Sequence, residues 1–174
     1  MIKHVITGGP GSGKSALIKV LGENGFPTIK EAAKEIIFRE KKRGVHEPWL
    51  DKFFPDFQRK IFEEQLRREA EIPLDTKIVF IDRGIPDSLA YYKYKQFKPP
   101  QKLLDAVNKC KYEKVFFLKP LPLYRKTKYR VEDEEEAKEI SKIIRKTYEN
   151  LGYHPIIIPA VSIKERVNII LKNI

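Results

Sequence analysis

Two apolar patterns alternate along the chain. Short runs at Lys3-His4-Val5-Ile6-Thr7, Lys77-Ile78-Val79-Phe80-Ile81, Lys114-Val115-Phe116-Phe117-Leu118 and His154 to Ile158 lack the period-two alternation of a half-exposed strand. They read as strands covered on both faces, as in a parallel sheet between helices. Phe26-Pro27-Thr28-Ile29 is a further short strand. Between them apolar residues recur at helical spacing: Ser15 to Asn24 (Ala16, Leu17, Val20, Leu21), Glu31 to Lys42 (Ala32, Ala33, Ile36, Ile37, Phe38), Phe53 to Ala70 (Phe54, Phe57, Ile61, Phe62, Leu66), Pro86 to Tyr94, Lys102 to Cys110, and Ile163 to Ile174. The aromatic positions of the 53–70 stripe read as core packing. Asp133 and Glu136 make a capping pair for a long helix ending at Asn150, and Asn24-Gly25, Gly44, Pro99-Pro100 and Gly152 punctuate the pattern. Residues 119–131 carry two prolines, five basic residues and no apolar period, so they read as a loop.

Five strands alternating with helices predict a three-layer α/β/α sandwich around a mainly parallel sheet with right-handed crossovers. At 174 residues the whole chain, 1–174, is expected to be a single domain with a lid-like basic loop at 119–131. No internal repeat or low-complexity tract interrupts it. The apolar runs are far shorter than a membrane-spanning helix requires. The single Cys110 can close no internal disulfide and the N-terminus lacks a leader pattern, so a cytoplasmic protein is expected. The 35 Lys and Arg against 24 Asp and Glu give a net charge of +11, which attracts nucleotides, nucleic acid or an acidic bilayer without selecting among them. His4, His46 and His154 have no ligand spacing, and no Cys/His metal cluster is present.

The chemistry begins just after the first strand. Gly8-Gly9-Pro10-Gly11-Ser12-Gly13-Lys14-Ser15 fits the phosphate-loop pattern at every fixed position, between a strand and a helix. Such a loop turns successive N–H groups and a helix N-terminus toward one polyphosphate. Lys14 would reach the β- and γ-phosphates, and the Ser15 hydroxyl would help coordinate Mg2+. Because ligands of parallel α/β sheets gather at the carboxyl ends of the strands, Glu31, Asp82 and Arg83 fall beside that loop. Asp82 at a strand end can hold the magnesium water shell opposite Ser15, or simply cap the strand. Arg83 can place its guanidinium on a phosphate or acceptor group, or be locked in a salt bridge. Glu31 is either the base that takes a proton from an attacking hydroxyl or a favourable acid in a helix's first turn. Arg125, Lys128 and Arg130 are either lid cations that close on the transferring phosphoryl group or part of a solvated basic loop. Asn108-Lys109-Cys110-Lys111 lacks the Asp of a guanine-reading N-K-x-D string and precedes a strand, so ATP is favoured as the nucleotide.

Three strings together, Val5 to Ser15, Glu31-Ala32-Ala33-Lys34-Glu35-Ile36-Ile37 and Asp82-Arg83-Gly84-Ile85-Pro86-Asp87-Ser88, resemble the NadR-like AAA-domain family of small P-loop proteins. Tyr129 to Ala137 and Tyr148 to Tyr153 look like the helix that follows that family's lid, so the resemblance covers nearly the whole chain. It implies a nucleoside- or nucleoside-monophosphate-kinase-like core. By it Glu31 sits at the acceptor side, Asp82-Arg83 matches the family's D-R pair, and Arg125 and Arg130 match lid cations, Arg130 the more firmly because of the acidic run after it. Nothing resembles a sensor arginine or a C-terminal helical domain. One branch of the family binds GTP, so GTP stays open beside ATP. The expected function is magnesium-dependent phosphoryl transfer from ATP to a nucleoside, nucleotide or vitamin-related acceptor. Two alternatives stand beside it: an NTP hydrolase or nucleotide-dependent switch, and a non-enzymatic polyanion binder whose affinity would fall steeply with salt.

Overall fold

The computed structural model describes residues 1–122 and 132–174. Strands β1 (Ile2–Thr7), β2 (Thr28–Ile29), β3 (Ile78–Asp82), β4 (Lys114–Leu118) and β5 (Ile156–Ile158) form one sheet in the order β2-β3-β1-β4-β5, with every neighbouring pair parallel. Helices α1 (Lys14–Glu23), α2 (Ala33–Lys42), α3 (Phe54–Ala70), α4 (Ile85–Tyr94), α5 (Gln101–Lys109), α6 (Glu134–Asn150) and α7 (Ile163–Leu171) fill the connections and follow the last strand.

The uninterrupted apolar strands have a direct cause in the layering. On one sheet face Val5, Val79, Ile81, Val115 and Phe117 pack with Ile140, Ile144 and Tyr148 of α6. On the other Ile6, Phe80, Phe116, Leu118 and Ile158 pack with Leu17, Ile18 and Leu21 of α1 and with Val167 and Ile170 of α7. Successive strand residues therefore enter opposite cores, so both faces are built mostly from apolar side chains. His4 fits this frame as a buried ring tilted 5.4 Å from Phe80 and edge-on to Phe116. A third cluster, with Phe54, Phe62, Leu89, Tyr92 and Leu103, joins α3, α4 and α5, and a fourth joins Ile36 and Ile37 of α2 to Phe57 of α3.

Element boundaries follow the sequence pattern with small shifts. β2 shrinks to two residues and β5 to three, both at sheet edges where only one neighbour supplies hydrogen bonds. Asp82 belongs to β3 as its last residue, in register with Ile6. The carboxyl ends of β1 and β3 are thus level, and the loops that leave them face each other. The basic stretch from 119 continues as non-regular chain to 122, and 123–131, with Arg125 and Arg130, lie outside the described residues. Among the described residues no helix is long and apolar enough to cross a membrane.

Candidate active site

The loop between β1 and α1 closes against the end of β4. At Gly8 the backbone has φ 139° and a Cβ would lie 2.6 Å from the Leu118 carbonyl oxygen, so only glycine lets the chain turn there. Inside the turn the Lys14 ammonium donates to the Gly8 carbonyl at 2.9 Å, the Gly9 carbonyl at 2.8 Å and Ser12 Oγ at 3.2 Å. Burial, and then the positive charge of Arg83, lower its pKa to about 8. A second cation stands behind the loop: Arg166 of α7, fully buried, donates through Nη1 to the Ser12 carbonyl at 2.7 Å.

Ser15 Oγ lies 3.3 Å from Asp82 Oδ2, and Lys34 Nζ approaches the same hydroxyl at 3.4 Å. Asp82 is buried, and its Oδ1 has no hydrogen-bond partner among the described residues. Burial and the neighbouring Glu31 charge push its carboxyl up to about 6. A buried carboxylate oxygen without a donor, beside a hydroxyl, fits a hard cation that keeps water and phosphate oxygens as its other ligands. Ser15 and Asp82 would hold magnesium in this way.

Across the mouth of the loop, Arg83 Nε donates to Glu31 Oε1 at 2.7 Å, and its Nη1 donates to Asp87 Oδ1 at 2.9 Å and to the Gly8 carbonyl at 3.3 Å. The guanidinium carbon sits 5.5 Å from the centre of the Tyr91 ring. Burial alone would raise the Glu31 carboxyl, but the charges of Arg83 and Lys14 and the hydrogen bond from Arg83 outweigh it and hold Glu31 below the usual carboxylate range. Glu31 is therefore ionised at neutral pH.

The loop, Glu31 and Arg83 border a cleft of about 670 Å3 that the aromatic rings of Trp49, Phe54, Phe57 and Tyr91 also line, with the Gln58 amide among them. The size suits a small organic molecule. Gln58 is buried and donates to Ser88 Oγ at 3.1 Å. Lys14, Ser15, Glu31 and Arg83, drawn from separate stretches of the sequence, thus meet around one cavity, with Asp82 joined to them through Ser15. The aromatic stripe of α3 divides its labour: Phe62 is core, whereas Phe54, Phe57 and Ile61 also face the cleft. The sequence alone does not mark Asp87, Tyr91, Gln58, Trp49 or Arg166 as site residues. Gln58 does leave a trace, as a polar residue one turn after Phe54 inside an apolar stripe.

A phosphate-binding loop on the central strand of a 2-3-1-4-5 parallel sheet, opening onto a substrate-sized cleft, defines a P-loop protein of the nucleotide-kinase fold. The family model described as AAA domain matches residues 3–166, and the chain belongs to that family. Among solved structures, deoxyadenosine kinase from M. mycoides with bound dATP is similar over 99% of this chain and 98% of its own, with TM-score 0.72 and 16% identity. NadR protein in complex with NAD and AMP-PNP superposes with TM-score 0.68 and 15% identity over 98% of this chain and 49% of that one. Thymidylate kinase from Ehrlichia chaffeensis gives TM-score 0.61 and 18% identity over 99% of this chain and 97% of its own. A search of curated proteins finds no match.

Proposed function

We propose that this protein is a magnesium-dependent P-loop kinase that transfers the γ-phosphoryl group of ATP to a hydroxyl of a small, flat acceptor of the nucleoside class. The observation that carries this reading is the Glu31–Arg83 pair, 2.7 Å apart at the junction of the phosphate loop and the aromatic-walled cleft. An ionised carboxylate there welcomes a hydroxyl, which donates to it. It repels an acceptor phosphate. A hydrolase or switch would need no aromatic-walled cavity of this size next to the nucleotide, and the similarity to deoxyadenosine kinase and NadR folds supports the kinase reading further.

In the proposed reaction the loop amides and Lys14 hold the triphosphate, with Arg166 adding positive potential from behind. Ser15 and Asp82 would hold magnesium, which when bound supplies charge across the β- and γ-phosphates. The acceptor oxygen attacks the γ-phosphorus, its proton passes to Glu31, and the bond to the β–γ bridging oxygen breaks to leave ADP. Arg83 orients Glu31 and faces the negative charge of the transferring group. Arg125 and Arg130 belong to the same proposal, as lid cations that close over the phosphates. A panel of nucleosides and related vitamin precursors incubated with γ-labelled ATP tests the reading. Label is expected on one acceptor class, with little free phosphate. Rapid phosphate release that no acceptor accelerates would move the assignment to a hydrolase.

Asp82 makes a second prediction. Its folded pKa of about 6 lies above the unfolded value of 3.8, so its contribution to stability is present at low pH and is lost as pH rises through about 6. At pH 8 the ionised, buried carboxylate costs up to about 3 kcal/mol. Asp82→Asn is therefore expected to raise the melting temperature at pH 8 by several degrees while abolishing magnesium-dependent turnover. Equal melting curves for the two proteins at pH 8 would contradict the burial cost.

A further inference from the structure

We propose that Asp87 is the positioning residue of this site, a buried clamp that holds the Arg83 guanidinium and, through it, the Glu31 carboxylate in the arrangement that phosphoryl transfer requires. For turnover the inference rests on the kinase reading above. For the guanidinium itself it stands on geometry alone.

Asp87 lies in the first turn of α4 and is only 2% exposed. A helix-start aspartate needs one partner, the backbone N–H of Gly84, which it has at 3.2 Å through Oδ2. It has three more among the described residues. Tyr148 of α6 donates to the same oxygen at 2.6 Å, and Oδ1 accepts from Thr7 Oγ1 at 2.7 Å and from Arg83 Nη1 at 2.9 Å. These donors from the end of β1, the turn after β3 and the far helix α6 occupy the acceptor capacity of one carboxylate. Such a group cannot rotate without breaking several bonds at once.

What the clamp holds is a strained residue. Arg83 has φ 68°, in the left-handed region that long side chains seldom adopt and keep only where the surroundings over-determine it. The turn is tied on both sides: Arg83 N to the Ile6 carbonyl at 3.1 Å, Asp87 N to the Gly84 carbonyl at 3.1 Å, and Ile85 N to Tyr112 Oη at 3.0 Å. Gly84 leaves no slack, since a Cβ there would lie 2.6 Å from Tyr148 Oη. With its backbone fixed, the guanidinium is shared between two carboxylates. Asp87 is the immobile one. Glu31, on the other nitrogen, has the bond from Arg83 as its one side-chain hydrogen bond among the described residues.

Asp87→Asn keeps the shape but turns one acceptor oxygen into a donor that faces donors. In 15N-labelled protein the Arg83 Nε–H signal is expected to exchange slowly with water in the wild type and at least about tenfold faster in Asp87→Asn, as the bond to Glu31 loosens. With the assigned acceptor, kcat is expected to fall about 100-fold while ADP affinity changes by less than about threefold, the pattern of a misplaced reacting group. Tyr148→Phe, which keeps the carboxylate and removes one donor, should give an intermediate loss of about 3- to 10-fold in kcat. Wild-type exchange of the Arg83 signal in Asp87→Asn, or equal losses of kcat and ADP affinity, would overturn the inference and leave Asp87 as a helix cap. Should Asp87→Asn not fold, Tyr148→Phe and Thr7→Val decide: wild-type exchange and kcat in both overturn it. If the wild type phosphorylates no hydroxyl at all, the kinase reading has failed, and the exchange measurement still decides the clamp.

Discussion

Lys14→Ala is expected to lower turnover by about a thousandfold and to weaken triphosphate binding strongly, without lowering the melting temperature. The reason lies in where the ammonium sits. It is buried among two loop carbonyls and the Ser12 hydroxyl, three neutral oxygens that only partly replace its water shell. That burial, and then the positive charge of Arg83, lower its pKa from the ordinary 10.5 to about 8. Since the folded pKa is depressed, the charged form costs stability at neutral pH, and the cost disappears as pH rises through the interval between about 8 and 10.5. Removing the charge therefore does not unfold the protein. A polyphosphate reverses the deficit by pairing with the ammonium. Nucleotide binding at about pH 8.5 should then draw in a large fraction of one proton, and at pH 7 very little. Calorimetry in two buffers of different ionisation enthalpy reads this uptake directly. The wild type should show it, and Lys14→Ala should not. Unchanged turnover in Lys14→Ala would remove the phosphate-loop assignment.

The difference between what the sequence discloses and what it hides follows from the range over which each interaction acts. The strands are legible because both sheet faces are covered, so Val79-Phe80-Ile81 and Val115-Phe116-Phe117 must be apolar without interruption. The phosphate loop is legible because backbone curvature demands glycine at fixed local spacing. Glu31, Asp82 and Arg83 could be gathered by topology alone, since parallel strands bring their carboxyl ends to one edge. The cleft wall could not. A helix obeys the same 3.6-residue period whether its apolar face meets a core or a cavity, so Phe57 and Phe62 look alike until α2 and α4 are in place. Nor could the Asp87 network, because Thr7 is 80 residues away and Tyr148 61 residues away, and no local pattern records such a pairing. Arg166 is the extreme case. Its contact with Ser12 spans 154 residues, and in the sequence it is one more arginine in an amphipathic helix.

Glu31→Gln separates chemistry from binding. The substitution keeps size and an acceptor oxygen but removes the charge that pairs with Arg83 and the site that takes the proton. If Glu31 is the base, kcat should fall by about 100- to 10,000-fold, while affinity for ATP, held by Lys14 and the loop amides, changes by only a few-fold. The pH profile gives an independent reading. Arg83 and Lys14 keep the Glu31 carboxyl below the usual range despite its burial, so wild-type kcat at saturating Mg2+ and ATP, where the metal would keep Asp82 ionised, should be flat from pH 7 down to the ordinary carboxylate region and drop only below it. A wild-type acid limb near pH 7 would mean that another group carries the proton. Stability follows the same sign: a carboxylate with a depressed folded pKa stabilises above its unfolded value and loses that contribution as pH falls through the folded one. Glu31→Gln should accordingly cost stability at pH 7 and progressively less as pH falls below the ordinary carboxylate range. It also leaves Arg83 with Asp87 as its remaining carboxylate partner among the described residues, so the guanidinium keeps its place while the base is gone. Equal losses of ATP affinity and kcat would show instead that Glu31 holds the nucleotide site together, and would return the acceptor hydroxyl's proton to an unassigned base.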